Sequence, residues 1–148
     1  MPSALGRRGL IEPMCRLHGE ELLHRLITAS GENRTEVVRA LISSKAAVNK
    51  AGTDGFTALM TASHGGHIEV VRALISSKAD VNKARTDGST ALMCASVGGH
   101  TEVVRALISS KADVNKASTD GYTALTLAIH FGFAEVAEVL KLAVANTR

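Results

Sequence analysis

Two short stretches of residues 51–83 carry apolar side chains at helical spacing, and two glycines separate them. In the second stretch Val70, Val71, Leu74 and Ile75 lie three and four positions apart. This spacing predicts a helix from about residue 67 to residue 77. Glu69, Arg72 and Ser76 lie on the other side, so one face of the helix should pack inward while the other meets solvent.

The first stretch predicts a shorter helix that begins near Ala58. Thr57 precedes it and can accept a hydrogen bond from a free backbone N–H of the first turn. Leu59 is the one large side chain of a narrow apolar face, so neighbouring helices can approach closely. Gly65 and Gly66 then end the helix, because glycine readily takes the left-handed conformation that follows many helices.

After the second helix the helical spacing stops, and polar residues lead to an Asp-Gly pair that is typical of a tight turn. The whole unit then repeats every 33 residues, and residues 51–83 and 84–116 are identical at 28 of 33 positions. The turn signal recurs at Asp54-Gly55, Asp87-Gly88 and Asp120-Gly121. A fixed period of this length predicts a solenoid, in which each repeat contacts only its neighbours.

The repeated unit resembles the ankyrin repeat. In residues 84–116 the family's motif is present as Asp87-Gly88-Ser89-Thr90-Ala91-Leu92, Ala95, Gly99-His100, Val103-Val104, Leu107-Ile108 and Ala112-Asp113-Val114-Asn115. The match is strong over residues 51–148 and weaker over residues 19–50. The resemblance implies an all-α ankyrin solenoid of helix-turn-helix units with projecting β-hairpin-like loops.

We divide the chain into an N-terminal extension and a single ankyrin array. In the extension, residues 1–18, we expect disorder at residues 1–6 and a short helix that begins at Pro13. In the array, Lys141 of the last repeat replaces Ile108, which predicts a polar outer face at that end. The array, residues 19–148, comprises an N-capping repeat, two internal repeats and a C-capping repeat at residues 19–50, 51–83, 84–116 and 117–148.

Three departures from the family's motif predict an array less stable than an ideal one. The family's Pro and His in the first helix are Ala58 and Met60 in the first internal copy. The family's Gly after the second helix is a lysine in every copy that has the position, at Lys45, Lys78 and Lys111. A lysine in the left-handed conformation costs about 1 kcal/mol relative to glycine.

Composition narrows the choice of partner only slightly. The chain has 17 Lys and Arg against 14 Asp and Glu, a net charge of +3, which is far from the dense basic clustering of a dedicated nucleic-acid binder.

Cys15 and Cys94 do not form a disulfide framework, which favours an intracellular location in the cytoplasm or nucleus. The sequence has neither a signal-peptide pattern nor an apolar run of membrane-spanning length, so we expect no membrane association. We expect a monomer.

The few positions that differ between the near-identical copies are where individual function is expected. One of them holds Phe56, Ser89 and Tyr122, a range of volumes that would cost several kcal/mol in a packed core. We therefore expect both aromatic rings to be exposed at loop tips, and aromatic residues are enriched at binding hot spots. The next such position, residues 61, 94 and 127, is expected to face the neighbouring repeat instead.

These differences define a predicted partner-binding set. By the family resemblance, hairpin tips and first helices form the concave surface with which ankyrin arrays hold protein partners. The predicted set comprises Gly52, Phe56, Arg85, Ser89, Ser118 and Tyr122 at the tips, and His64, Val97, His130 and Phe131 on the first helices.

Simpler interpretations compete with several of these assignments. Phe56 and Tyr122 could shield the hairpin backbone, and His67 and His100 match the family's Gly-His pair and are expected to be structural. The spacing of His64 and His67 suits metal ligation, but Val97 replaces His64 in the next copy, so we expect no metal site and no cofactor. No unique nucleophile, base and orienting group occur together, so we expect no catalysis.

Three hypotheses of function follow. The leading one is a non-catalytic protein-protein interaction module, and the alternative is a structural spacer, or a recently duplicated or engineered scaffold, with no specified partner. A third, less favoured, is binding of an anion or nucleic acid through repeated lysine rows, which predicts affinity that falls steeply with salt. By the family resemblance Asn49, Asn82 and Asn115 are candidate targets of asparaginyl hydroxylation, although hydrogen bonding within the loop also accounts for them.

Overall fold

The structure is a computed structural model that describes residues 19–146. The disorder expected at residues 1–6 and the short helix expected from Pro13 lie outside the described residues. Within residues 19–146 the chain forms eight helices, arranged as four consecutive pairs joined by loops, and this part of the chain contains no β-strand. The helices are α1 Gly19–Gly31, α2 Thr35–Ser43, α3 Ala58–Gly65, α4 Ile68–Ser76, α5 Ala91–Gly98, α6 Thr101–Ser109, α7 Ala124–His130 and α8 Ala134–Asn146.

The first helix of each later pair begins where the sequence predicts it. The Thr57 side chain accepts a hydrogen bond from the backbone N–H of Met60 at 3.2 Å, and Thr90 and Thr123 cap α5 and α7 in the same way. At the end of α3, Gly66 takes the left-handed conformation with φ +74°. These caps satisfy backbone groups that a short helix would otherwise leave unpaired.

The lysines that follow the second helices do take the left-handed conformation. Lys45, Lys78 and Lys111 have φ values of 68°, 71° and 73°. Each is a non-glycine residue in a region where the side chain costs about 1 kcal/mol relative to glycine. The array therefore carries the same backbone strain at three equivalent positions.

The core runs along the array as a continuous row of leucine and valine side chains. Leu26, Leu59, Leu92 and Leu107 are almost fully buried, and burial of each such side chain stabilises the folded chain by about 1.5–3 kcal/mol. Met60 is buried as well, so the inward face of α3 is wider than the narrow face the sequence predicts. The methionine that replaces the family's histidine thus fills core volume instead of bonding a loop.

Histidine and asparagine side chains connect each repeat to the backbone of a neighbour. Nε2 of His67 lies 3.0 Å from the carbonyl oxygen of Gly31, and Nε2 of His100 lies 2.9 Å from that of His64. Both nitrogens face a carbonyl, so each carries the proton and donates it. These bonds confirm that His67 and His100 are structural.

Asn82 makes the equivalent connection between loops. Its Nδ2 donates to the carbonyl of Lys111 at 3.1 Å, and its Oδ1 accepts from the backbone N–H of Asp113 at 2.6 Å. Asn49 bonds Lys78 and Asp80 in the same pattern. A hydrogen-bonding role therefore accounts for these two asparagines, and their modification stays a prediction.

The last repeat exposes more apolar surface than the sequence predicts. Lys141 is exposed and forms an ion pair with Glu138 at 3.5 Å, as expected of a polar cap. However, the side chain of Ile129 is 57% exposed and that of Leu142 is 66% exposed. The equivalents of Ile129 in the earlier repeats, Ser63 and Ser96, are fully buried. The outer face is therefore only partly polar.

Candidate partner-binding surface

A tight hairpin forms the tip of each loop that precedes a first helix. In the first hairpin the backbone N–H of Gly52 donates to the carbonyl of Phe56 at 2.9 Å, and the other two hairpins have the equivalent bond. The Asp54 side chain also accepts from the backbone N–H of Phe56, at 3.0 Å. The first, second and third hairpins are residues 52–56, 85–89 and 118–122.

The Arg85 side chain joins the first and second hairpins. Its guanidinium donates to the carbonyl of Asp54 at 2.9 Å and lies 3.3 Å from an Asp87 carboxylate oxygen. It also lies 4.1 Å from the centre of the Phe56 ring, a cation–π geometry worth about 0.5–1 kcal/mol at an exposed site. The Phe56 ring is partly buried, so the prediction that it is exposed is wrong. The Arg85 side chain itself is 27% exposed; its two terminal nitrogens bond within the chain, and its Nε is buried with no partner among the described residues.

The second and third hairpins meet through their backbones. The backbone N–H of Thr119 donates to the carbonyl of Asp87 at 2.9 Å, and the Thr119 hydroxyl donates to the same oxygen at 3.2 Å. A Cβ added to Gly88 would lie 2.8 Å from the Cα of Ser118, so the two hairpins are in direct contact there. Tyr122 is 47% exposed, as the sequence predicts.

The hairpin tips and first helices enclose a groove of about 280 Å³, here called the tip groove. It reaches from His64 on α3 to Leu127 on α7 and so spans three repeats. Its lining comprises Phe56, Arg85, Asp87, Ser89, Ser118, Asp120 and Tyr122 from the hairpins, and His64, Met93, Cys94, Val97 and Leu127 from the helices. Seven of the ten residues in the predicted partner-binding set are among them.

The other three predicted residues lie outside the tip groove. Gly52 lines a separate depression of about 480 Å³ between the first hairpin and α1, beside Leu23 and Ile27. His130 and Phe131 lie at the end of α7, where their rings pack edge to face with centres 5.0 Å apart. Both side chains are exposed.

Sequence reasoning missed five residues of the tip groove. Met93, Asp87 and Asp120 are constant in at least two copies, and a search confined to the variable positions passes over them. Cys94 and Leu127 do vary, but they were expected to face the neighbouring repeat. That expectation holds for Thr61, whose Cγ2 would lie 2.9 Å from a Cβ on Gly31. Asp87 and Asp120 each lie two residues before a variable position, and that proximity is the sequence signal that could have found them.

The pKa values of two ionisable groups in the tip groove are shifted in opposite directions. The backbone N–H of Ser89, with help from the Ser89 hydroxyl and Arg85, lowers the pKa of Asp87. Burial raises the pKa of the Cys94 thiol to about 11. At neutral pH the groove therefore presents a carboxylate at its rim and an uncharged thiol at its floor.

The described residues contain no helix that is both long and apolar enough to cross a membrane. No three or more His, Cys, Asp or Glu side chains in residues 19–146 come together in a way that could hold a metal ion. The tip groove combines apolar side chains with the aromatic Phe56 and Tyr122 and the charged Arg85, Asp87 and Asp120.

Comparison with known protein families gives the same architecture. A comparison with curated proteins found no match for the chain. A family model described as ankyrin repeats (3 copies) matches residues 10–85 and again residues 78–147. The two overlapping matches cover far more than half of the chain, and ankyrin repeats are generally protein-protein interaction modules that are typically non-catalytic. With its period, its capped helix pairs and this match, the chain belongs to the ankyrin repeat family.

Proposed function

We propose that this array is a non-catalytic module that binds another protein along the tip groove and the exposed tips beside it. The observation that carries the proposal is the groove itself, which continues across three repeats and combines apolar, aromatic and charged lining. Interfaces of this kind have an apolar centre and a polar rim. Tyr122 is the leading contact, because its ring is the most accessible aromatic side chain at the groove.

Arg85 has a different role in this proposal from its neighbours. Since its guanidinium already bonds Asp54 and Asp87 and stacks on Phe56, it holds the first hairpin in position. It offers a partner mainly the outer face of the stacked pair. The affinity should therefore depend on Tyr122 more than on Arg85.

Affinity purification with the immobilised chain, followed by titration of one purified partner, tests the proposal. We expect Tyr122→Ala to weaken binding at least tenfold, because buried aromatic anchors dominate interface energetics. Arg105→Ala on α6, on the side of the array formed by the second helices, is the matched control and should leave the affinity unchanged. The urea midpoint of each variant separates lost contacts from lost folding.

The spacer hypothesis predicts a different result. If the array only separates other segments, partners recovered by purification should bind Tyr122→Ala and the original chain equally well. Binding through the lysine rows predicts affinity that falls steeply between low and moderate salt, with little dependence on Tyr122. Either pattern would remove the tip groove as the binding site.

A further inference from the structure

The middle of the tip groove lacks a side chain that the neighbouring repeats provide. The equivalent position holds a large ring in Phe56, a small hydroxymethyl group in Ser89 and a large ring again in Tyr122. Met93 and Cys94, which are buried, and Val97, which is half-buried, line the groove together with Ser89. The substitution of one ring by serine therefore leaves an apolar notch between Tyr122 and the stacked pair of Arg85 and Phe56.

One carboxylate at the rim of this notch has no partner within the part of the chain that the structure describes. The Asp54 carboxylate accepts from the backbone of Phe56, and Asp87 accepts from Ser89 and pairs with Arg85. Asp120 lines the groove too, yet within residues 19–146 its carboxylate has neither a hydrogen bond nor an ion pair. Asp120 is exposed, so its carboxylate is accessible to a cationic group of a partner.

The dimensions of the groove suit a stretch of extended polypeptide. Neighbouring helices pack about 8–10 Å apart, so a groove spanning three repeats is about 20 Å long, the reach of about six extended residues. Its volume of about 280 Å³ falls just below the range of about 300–1,000 Å³ usual for small-molecule pockets. One side chain can enter the notch while the rest of a segment crosses the rim.

We infer that the notch over Ser89 receives one aliphatic side chain of an extended segment of the partner protein, and that a neighbouring Lys or Arg of that segment pairs with Asp120. This inference rests on the proposed function and names the chemistry of the partner. The aliphatic group gains contact with Met93, Cys94 and Val97. The basic group forms an ion pair with Asp120, which has none within residues 19–146. This ion pair sets the direction in which the segment lies.

Selection from a phage-displayed library of random dodecapeptides, with the immobilised full chain as target, tests the inference. Enriched peptides should share an aliphatic residue with a Lys or Arg within two positions of it. Their affinity should fall about tenfold to a hundredfold for Ser89→Phe, which fills the notch, because burial of a leucine-sized side chain is lost. For Asp120→Asn it should fall about twofold to fivefold, as expected of an exposed ion pair.

Matched variants keep the test decisive. Ser89→Phe copies the residue of the preceding repeat, so it should fold normally, and its urea midpoint checks this. Ser109→Phe makes the same chemical change on α6, away from the groove, and should leave peptide affinity unchanged. If Ser89→Phe failed to fold, Val97→Lys would block the same floor from the helix side, with the same loss of affinity expected.

The outcomes separate this inference from the proposed function. Peptides that lose affinity with Tyr122→Ala but bind Ser89→Phe and Asp120→Asn as tightly as the original chain would overturn the inference and leave the proposed function standing. An enriched motif that is acidic, or a library that yields no enrichment, would also overturn it. Peptides that depend on none of these positions would overturn both.

Discussion

The junction of the first and second hairpins and the junction of the second and third hairpins have nearly the same sequence around them but are closed in different ways. In the first junction the Arg85 side chain covers the Phe56 ring and bonds the carbonyl of Asp54. In the second junction the backbones touch, through Thr119 and the carbonyl of Asp87, and the position equivalent to Arg85 holds the short side chain of Ser118.

The difference comes from two of the five positions that vary between the internal repeats. Arg85 of the second hairpin is replaced by Ser118 in the third, and Phe56 of the first hairpin is replaced by Ser89 in the second. The scaffold beneath is unchanged, since the caps, turns and core are the same in both copies. Two substitutions are therefore enough to make one half of the surface closed and the other half open.

The largest effect should come from a methyl group added to the glycine of each hairpin. Gly55, Gly88 and Gly121 have φ values of +86°, +85° and +86°, so alanine costs about 1 kcal/mol at each. At Gly88 the new Cβ would also lie 2.8 Å from the backbone of Ser118, whereas at Gly55 it would meet the flexible Arg85 side chain at 3.3 Å. We expect Gly88→Ala to lower the free energy of unfolding by about 2–3 kcal/mol and Gly55→Ala by about 1–1.5 kcal/mol.

Urea unfolding measures these losses, and Gly121→Ala is the matched control. A Cβ at Gly121 would have no neighbour within 4 Å, so this variant reports the cost of the backbone conformation alone. Equal losses at the three glycines would contradict the contact between the second and third hairpin backbones.

A smaller effect is expected from Arg85→Ala, which opens the closed junction. The variant loses the hydrogen bond to Asp54, worth about 1 kcal/mol, and the stacking on Phe56, worth about 0.5–1 kcal/mol. We expect the free energy of unfolding to fall by about 1–2 kcal/mol and the amide hydrogens of the first hairpin to exchange faster. Arg105→Ala, at an exposed arginine of α6, should cost under about 0.5 kcal/mol. If the two arginine variants unfolded alike, the Arg85 contacts would have no energetic role.

The smallest effect concerns the floor of the open junction. Because burial raises the pKa of Cys94 from its usual 9.0 to about 11, the neutral thiol stabilises the folded chain fully below pH 9. That stabilisation is lost as the pH rises from 9 towards 11. Between pH 8 and pH 10 the free energy of unfolding of the chain should fall by about 1 kcal/mol more than that of the Cys94→Ala variant. The original chain and the Cys94→Ala variant should both carry Cys15→Ser as well. Equal losses of free energy of unfolding in the two proteins would mean that the Cys94 thiol is accessible to water through the notch.

Most of the scaffold could be predicted from local pattern. The capping role of Thr57, the left-handed lysines and the two helices per repeat each depend on residues close together in the chain, and the structure confirms them. Comparison of the copies predicted the exposure of Tyr122 correctly and that of Phe56 wrongly. The period supplies this information because each repeat restates the same local rules.

The candidate surface was less accessible to sequence reasoning, for a physical reason. The partners of Arg85 are the ring of Phe56 and the carbonyl of Asp54, which lie 29 and 31 residues earlier in the chain. A pattern places a residue on a tip but does not say which way a long side chain turns. Asp120 lies in the same Thr-Asp-Gly sequence as Asp54 and Asp87. It differs from them in its contacts, since the other two carboxylates accept hydrogen bonds from Phe56 and Ser89.

The asparagine bonds between loops have a consequence for how such a chain can lengthen. Each internal repeat carries both halves of the connection: Asn82 reaches forward to Lys111, while Lys78 in the same repeat accepts from Asn49. A copied 33-residue segment inserted between them would arrive with matching bonds for both of its neighbours. At the far end, Ile129 occupies the position that small buried serines hold elsewhere, so an added unit would meet a bulky side chain there. Insertion of a copy between the internal repeats would therefore preserve these contacts better than addition of a copy after residues 117–146.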